Sequence, residues 1–261
     1  MENCVVLKFG GASVSTPQAF HFISNIIADR KSKYKKVITV VSAMGDDTDQ
    51  LIELAKQVNP TPPRRELDML ISTGERKSIA LLAMALSLKN VDAISFTGSQ
   101  AGVITSNDHF DAKICDIRPK RILEELEKGK VVIVAGFQGM STAGEITTLG
   151  RGGSDTTAVA LAIALGAEKV EFFKDVPGVF DQDPKKNPQA KLLPHLNYEE
   201  AYSIMVKGAQ VLHARCIQLA EKNKIQLHVL PFSDFANDKL GTLIQNTNEK
   251  LEHAPSKQYE L

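Results

Sequence analysis

Short β-branched runs alternate with helical patterns along most of the chain, and this alternation restricts the fold more than any other feature. Six runs predict buried strands: Cys4–Phe9, Val37–Val41, Ala93–Phe96, Val131–Ala135, Val170–Phe173 and Gln226–Leu230. Seven stretches predict helices: Pro17–Asp29, Asp49–Val58, Glu66–Leu88, Ile117–Glu127, Asp155–Leu165, Tyr198–Val206 and Ala214–Lys222. The alternation predicts an α/β protein, with a mainly parallel sheet covered by helices on both faces.

Charge and cysteine content restrict the class of function. Lys plus Arg and Asp plus Glu both number 31, so the formal net charge is zero and favours binding to neither nucleic acid nor an anionic membrane. The three cysteines form no CxxC pair, which is typical of a reducing compartment, and no apolar run has the length of a membrane span. The first residues lead into a strand without a signal-peptide pattern, so we expect a cytoplasmic protein.

Ligands of open α/β sheets bind beyond the carboxyl ends of the strands, where this chain has two glycine-rich segments. Gly150–Asp155 (GRGGSD) precedes a strongly apolar helix, whose N-terminus favours anions, and Arg151 has a planar fork that suits a carboxylate. A helix-capping role explains Asp155 but not an arginine between glycines, so the functional interpretation is favoured here. Lys8–Ser13 (KFGGAS) closes the first strand and can cradle phosphate, although alone the string favours an ordinary strand-to-helix turn with a surface lysine.

Two further segments leave both interpretations open. Ser72–Arg76 (STGER) has a glycine within a helical pattern, so either the helix breaks and presents Glu75 to a cleft, or Glu75 and Arg76 form a surface pair. Asp175–Phe180 (DVPGVF) contains a Pro-Gly turn, and Phe180 either lies against a flat ring or belongs to the core.

Nine strings together resemble the catalytic domain of aspartate kinases, in the amino-acid kinase family. In chain order they are KFGGAS, VSAMGDDTDQL, STGE, TSNDHFDAKI, GFQG, TTLGRGGSD, KDVPGVFDQDPK, GAQVLHAR and GTLI. The resemblance implies a three-layer α/β/α sandwich with one catalytic domain over residues 1–244, in which an N-terminal lobe holds the acceptor and a C-terminal lobe holds ATP. Residues 245–261 form a polar tail that we expect to be mobile.

The resemblance also implies which residues handle the acceptor. Lys8 would contact the transferring phosphate and Asp155 would lie beside it, so both are expected to be catalytic. Glu75 would bind the amino group of aspartate and Arg151 its α-carboxylate. Ser42 and Thr148 complete the expected substrate-binding set.

ATP with Mg²⁺ is the cofactor pair that the resemblance implies, and no side chain is assigned to the metal. The expected nucleotide-binding positions are Gly10, Gly11, Ser13, Gly153, Lys174, Asp175, Phe180, Asp183, Lys185 and Gln210. Several of them depart from the family pattern, which has threonine at position 174, arginine at 185 and lysine at 210. Lys174 or Lys207 is a candidate to supply the missing charge.

The implied activity is phosphorylation of the side chain of L-aspartate, the first step toward lysine, threonine, methionine and diaminopimelate. One alternative is a kinase of the same fold for glutamate, acetylglutamate, carbamate or a nucleoside monophosphate, although Gly150–Asp155 with Glu75 favours aspartate. The other is a weakly active homologue that binds ligands. Aspartate kinases usually continue into two ACT domains that this sequence does not include, so a short unregulated enzyme and a catalytic fragment are both open, and a homodimer is one possible assembly.

Overall fold

Two sheets organise the protein, whose computed structural model describes residues 3–184, 186–209, 211–232, 240–246 and 257–260. The strands are β1 (Cys4–Phe9), β2 (Lys36–Val41), β3 (Ala93–Phe96), β4 (Val103–Thr105), β5 (Ile114–Ile117), β6 (Val131–Ala135), β7 (Gln138–Ser141), β8 (Ile146–Thr148), β9 (Lys169–Lys174), β10 (His195–Leu196), β11 (Gln226–Pro231) and β12 (Thr242–Ile244). The central sheet has the order β10-β12-β11-β9-β1-β2-β6-β3, and only β11 and β12 pair antiparallel in it. All six predicted strands are confirmed within it.

Helices cover both faces of this sheet, which confirms the predicted three-layer α/β/α sandwich. The helices are α1 (Pro17–Lys33), α2 (Asp47–Val58), α3 (Arg64–Ile71), α4 (Thr73–Ser87), α5 (Lys120–Glu127), α6 (Gly153–Leu165), α7 (Tyr198–Val206) and α8 (Ala214–Asn223). Apolar side chains of α1 and α4 pack on one face, and those of α5 to α8 pack on the other. No helix in the described part of the chain has the length and apolar character needed to cross a membrane.

The second sheet was not predicted. It has four short strands in the order β5-β4-β7-β8, in which β4 and β7 pair in parallel and the two outer pairs are antiparallel. Two of its strands have only three residues, too few for an alternating pattern to identify them. This sheet matters for function because β8 leads directly into the Gly150–Asp155 segment.

Two predicted helices are wrong in their bounds. The stretch Glu66–Leu88 is two helices that meet at Ser72, so the break falls before Gly74 rather than at it. The stretch Ile117–Glu127 begins as the end of β5, and its helix starts only at Lys120. In both cases a continuous apolar pattern concealed a change of direction, because periodicity reports burial and not where an element ends.

The mobility expected for the polar tail is also wrong for residues 257–260. The side-chain amide of Asn223 in α8 donates to the carbonyl of Gln258 at 2.7 Å, and the N–H of Glu260 donates to the carbonyl of Ile114 in β5 at 2.9 Å. Tyr259 packs against the core on the α8 side. These four residues are therefore anchored to the domain.

A buried ion pair lies between α1 and the central sheet. The fully buried Arg30 places its Nε 2.6 Å from Oε2 of Glu171 in β9, and its Nη1 2.6 Å from Oδ2 of Asp29. Lys169 approaches the other oxygen of Glu171 at 2.8 Å. Removing one partner of such a pair leaves an uncompensated charge in an apolar layer.

We therefore expect Glu171→Leu to lower the free energy of unfolding by about 3–5 kcal/mol. The double variant Arg30→Met/Glu171→Leu should regain much of that loss, because it also removes the guanidinium whose fully buried counterion is gone. Chemical denaturation measures both, with Arg118→Met, which breaks an exposed pair with Asp116, as a control that changes stability by less than about 1 kcal/mol. A double variant less stable than Glu171→Leu alone would contradict this account.

Candidate active site

A buried ion pair lies at the carboxyl edge of the central sheet. Nζ of Lys8, near the end of β1, is 2.5 Å from Oδ1 of Asp155 in the first turn of α6, and both side chains are less than one-tenth exposed. The backbone N–H of His213 approaches the other carboxylate oxygen of Asp155 at 3.4 Å. Burial alone would raise the pKa of Asp155, but the ammonium groups of Lys8 and Lys174 hold it below its usual value, so the carboxylate stays ionised.

The glycines before α6 allow the helix to begin at this point. Gly152 is the N-cap and has a left-handed backbone with φ of 74°, and a Cβ there would lie 2.1 Å from the ring of His213. Asp155 is therefore inside the first turn and does not cap the helix, so the capping interpretation is wrong. The N-terminus of α6 instead adds its own positive potential beside Lys8.

Lys174 belongs to the same cluster. Successive side chains of a strand point to opposite faces, and Val170 and Phe172 of β9 pack on the α6 and α8 side, so Lys174 points to that side too. Lys8 lies on the same side of the adjacent strand, where it is in register with Phe172. Burial lowers the pKa of Lys174, although the carboxylate of Asp155 opposes that shift.

Glu75 lies in the first turn of α4, in the interior and not on the surface. Its Oε1 accepts a hydrogen bond from the N–H of Ala43 at 3.0 Å, and its Oε2 has no hydrogen-bond partner among the described residues. Burial raises the pKa of Glu75 to about 8, against main-chain hydrogen bonds and the charge of Lys8, which favour the ionised form. The carboxylate oxygen without a partner is a position for a cationic group.

The turn after β1 packs closely on the loop after β2. The carbonyl of Gly11 accepts from the N–H of Gly45 at 3.0 Å, and a Cβ on Gly11 would lie 2.8 Å from the carbonyl oxygen of Gly45. Ser42 follows β2 directly, and Ser13 is held by a long contact from its hydroxyl to the carbonyl of Phe173 at 3.5 Å. Gly10, Gly11, Ser13 and Ser42 therefore lie together at the carboxyl edge beside Lys8.

The expected carboxylate-binding residue, Arg151, is exposed, and no ion pair of it with another described residue is found. Thr148, three residues earlier, is fully buried, and its hydroxyl donates to Oδ1 of Asp68 at 2.5 Å. The structure thus brings Arg151 to the edge of the cluster with its guanidinium available, whereas the Thr148 hydroxyl already has a protein partner.

Asp68 is a residue that sequence reasoning missed. It is fully buried in α3, and besides Thr148 it binds Nδ1 of His109 at 2.7 Å and the N–H of Phe110 at 3.2 Å. It therefore ties the loop after β4 to β8. An aspartate in an amphipathic helix is ordinarily an exposed residue, so nothing in its local pattern distinguished it.

The expected nucleotide-binding residues lie after β9. Asp175 and Asp183 are exposed, and Phe180 forms an isolated bridge with Leu192. The N–H of Val179 donates to the hydroxyl of Thr242 in β12 at 2.8 Å, which fixes this loop to the sheet. Lys185 and Gln210 lie outside the described residues. Among the described residues, no group of three or more His, Cys, Asp or Glu side chains is arranged to hold a metal ion.

Comparisons with known proteins identify the family of this chain. The model of the amino acid kinase family matches residues 3–231, so the chain belongs to that family. The aspartokinase of Mycolicibacterium smegmatis is 46% identical over 248 residues, which cover 95% of this chain and 58% of that protein. This chain therefore spans little more than half the length of that relative.

Solved structures give the same likeness. The aspartate kinase of Synechocystis is similar with a TM-score of 0.81 and 41% identity, covering 95% of this chain and 41% of that chain. E. coli aspartokinase III in complex with aspartate and ADP is similar with a TM-score of 0.83 and 27% identity, covering 94% of this chain and 65% of that chain. The three-layer fold and the position of its carboxyl edge are thus those of the family.

The raised pKa of Glu75 predicts a pH-dependent stability. Between the ordinary glutamate pKa of about 4.5 and the folded-state pKa of about 8, the unfolded chain is ionised at this position and the folded chain is protonated. Stability from this group is therefore full below pH 4.5 and falls as pH rises toward 8, by at most about 1.4 kcal/mol per pH unit.

Glu75→Gln removes this titration while keeping the shape of the side chain. The melting temperature of the variant minus that of the unchanged protein should therefore increase from pH 5 to pH 8, when measured without ligands. Glu124→Gln, an exposed position on α5, is the control and should give the same difference at both pH values. An equal difference for Glu75→Gln at pH 5 and pH 8 would show that Glu75 is already ionised in the folded protein.

Proposed function

We propose that the protein transfers the γ-phosphate of ATP to the side-chain carboxylate of L-aspartate. The observation that carries the proposal is the buried Lys8–Asp155 pair at the start of α6. The buried Glu75 interacts electrostatically with Lys8, and the exposed Arg151 lies in the turn that leads into α6. The likeness to aspartokinases over 95% of the chain supports the choice of acceptor.

The chemistry needs little from the protein beyond alignment and charge. The acceptor is already a carboxylate and requires no base, so the difficulty is to bring two anions together. Lys8 and the N-terminus of α6 would stabilise the negative charge on the phosphoryl group during transfer, and Asp155 would hold Lys8 in place.

The acceptor would be held by groups of opposite charge at its two ends. Arg151 would bind the α-carboxylate with its planar fork, and the Oε2 of Glu75 would bind the ammonium group. Ser42 would lie on the phosphate side of the same pocket. Thr148 would contribute by fixing the loop that carries Arg151, since its hydroxyl donates to Asp68.

ATP would lie against the loop after β9 and the turn after β1. Asp175, Phe180, Asp183, Lys185 and Gln210 would bind adenine, ribose and phosphates. Gly10, Gly11, Ser13 and Gly153 would line the phosphates with their main chain. Mg²⁺ carried by the triphosphate would neutralise the β- and γ-phosphate oxygens.

Lys174 is the better candidate for the charge that the family usually places at position 210. It lies on the face of the sheet that holds Lys8 and Asp155, and it interacts electrostatically with both. Lys207 lies at the end of α7 and is exposed. We therefore assign to Lys174 a contact with the nucleotide phosphates.

The reaction itself is tested by trapping its product. With Mg-ATP and hydroxylamine, the purified protein should form a hydroxamate from L-aspartate and little from glutamate, acetylglutamate or carbamate. If one of the other acceptors gives a hydroxamate and aspartate does not, the protein is a kinase of the same fold for that acceptor. Binding of aspartate and ATP without any product would instead support the weakly active homologue.

Steady-state kinetics should separate acceptor binding from phosphoryl transfer. Arg151→Ala should raise the aspartate KM about ten- to a hundred-fold, because a charge-assisted hydrogen bond to a carboxylate contributes roughly 1.5–3 kcal/mol. Lys8→Ala should lower kcat about a hundred-fold or more, and Lys174→Met should weaken ATP use, since both remove positive charge near the moving phosphoryl group.

Two matched controls accompany these variants. Lys35→Ala changes an exposed lysine at the opposite edge of the sheet, and Lys207→Met removes the rival charge on α7; both should keep normal kinetics. If Lys8→Ala stays folded and keeps a normal kcat, Lys8 does not act on the phosphate. If Lys207→Met is impaired and Lys174→Met is not, the charge assignment is reversed.

A further inference from the structure

The anchored C-terminal residues 257–260 reach the loop that carries Arg151. Glu260 is bound at its main chain to Ile114 of β5, and one of its carboxylate oxygens also accepts from the N–H of Ile114 at 3.1 Å. Its side chain is only 9% exposed, and it forms a bidentate ion pair with Arg215 of α8. Glu260 is thus held in one orientation by β5 and by α8.

Arg215 uses the remainder of its guanidinium on main-chain carbonyls. Its Nη1 donates to the carbonyl of Leu149 at 2.7 Å, and its Nη2 donates to the carbonyl of Ala112 at 3.0 Å. Leu149 lies two residues before Arg151, and Ala112 follows the loop that Asp68 binds through Phe110. One side chain therefore links the C-terminal residues to both segments that border the acceptor side.

The Glu260 carboxylate is the group that keeps Arg215 in this arrangement. The other carboxylate near Arg215 is that of Asp111, which is 3.9 Å from Nη1 and 78% exposed. Without Glu260, the partly buried guanidinium of Arg215 would have no buried carboxylate to pair with, so turning toward Asp111 and water would be favourable. Its hydrogen bonds to the carbonyls of Leu149 and Ala112 would then be lost. Leu149 is also held by its own N–H, which donates to the carbonyl of Phe137 at 2.9 Å, so Arg215 provides a second anchor for the chain just before Arg151. Arg151 itself lies between Gly150 and Gly152, both at positive φ, in a turn whose start is set by these two anchors.

We infer that Glu260 is a positioning residue for the acceptor: through Arg215 it fixes the carbonyl of Leu149 and so the placement of Arg151. The inference rests on the proposed role of Arg151 in binding the acceptor carboxylate. It implies that aspartate affinity is set partly from the C-terminal residues, more than 100 residues along the chain from the loop they hold.

The first test is kinetic. Glu260→Gln keeps the size of the side chain and removes its charge, so it should raise the aspartate KM about five- to thirty-fold and leave kcat and the ATP KM within about two-fold. Glu260→Asp, which retains the charge, should be less impaired than Glu260→Gln. Glu221→Gln, at an exposed position on α8, is the matched control and should not change the aspartate KM.

A double-mutant cycle decides whether Glu260 acts through Arg151. In the Arg151→Ala background, Glu260→Gln should raise the aspartate KM by less than two-fold, because the group that it positions is gone. Additive effects, or equal losses of aspartate and ATP affinity together with a lower kcat, would overturn the inference in favour of a general loss of structure.

Hydrogen exchange tests the same link without relying on activity. In Glu260→Gln, amides of the peptide covering residues 148–153 should exchange faster than in the unchanged protein, whereas amides of α1 should not. Unchanged exchange at 148–153 would overturn the positioning role even if the protein is an aspartate kinase. Faster exchange in a protein that does not phosphorylate aspartate would support the effect of Glu260 on this loop and would contradict the proposed acceptor.

Discussion

The buried contact between Lys8 and Asp155 is the interaction on which the arrangement of the carboxyl edge depends. It joins a central strand to the start of α6, the most deeply buried helix of the domain, at the point where the strand ends and the helix dipole begins. Both charges are buried, so each depends on an opposite charge nearby to offset its desolvation, and Lys174 adds to the positive charge beside Asp155. The backbone can approach closely at the glycine turn after β1 and at the left-handed Gly152 before α6, and this allows the side chains of Lys8 and Asp155 to meet.

The loops that carry the proposed acceptor-binding residues depend on remote anchors. Asp68 holds the loop after β4 and the hydroxyl of Thr148, and Arg215 holds the carbonyls of Ala112 and Leu149. The small sheet lies between these anchors and provides little rigidity of its own, since two of its strands have three residues. Arg151 is thus exposed on a loop whose neighbouring segments are held from both sides, and the proposed role in binding a small charged acceptor would need a rigid loop of this kind.

The parts of the fold that could be predicted are those with a long local signal. Runs such as Cys4–Phe9 and Val131–Ala135 are buried on both faces and consist almost entirely of apolar residues, so composition identified them. GRGGSD was singled out because an arginine between glycines has few structural explanations, whereas the lysine–glycine turn alone favoured an ordinary turn and was assigned a role only through the family resemblance. By contrast, the contacts of Asp68 with Thr148 and of Arg215 with Glu260 join residues 80 and 45 positions apart. No local pattern contains such pairs, and the position of the break between α3 and α4 is equally determined by packing around Ser72.

The protonation of Glu75 gives the proposed pocket a way to distinguish acceptors. With a pKa of about 8, this side chain is largely neutral at pH 7 while the pocket is empty, because its ionised form would lie buried with one oxygen unpaired. An incoming ammonium group would change that balance: it would pair with Oε2 and favour the carboxylate, so binding of an amino acid and ionisation of Glu75 are linked. An acceptor whose amino group is acylated brings no such charge and would meet a neutral acid that it cannot ionise. Selectivity would then arise from a charge that appears only when the matching ligand is bound, in a protein whose formal net charge is zero.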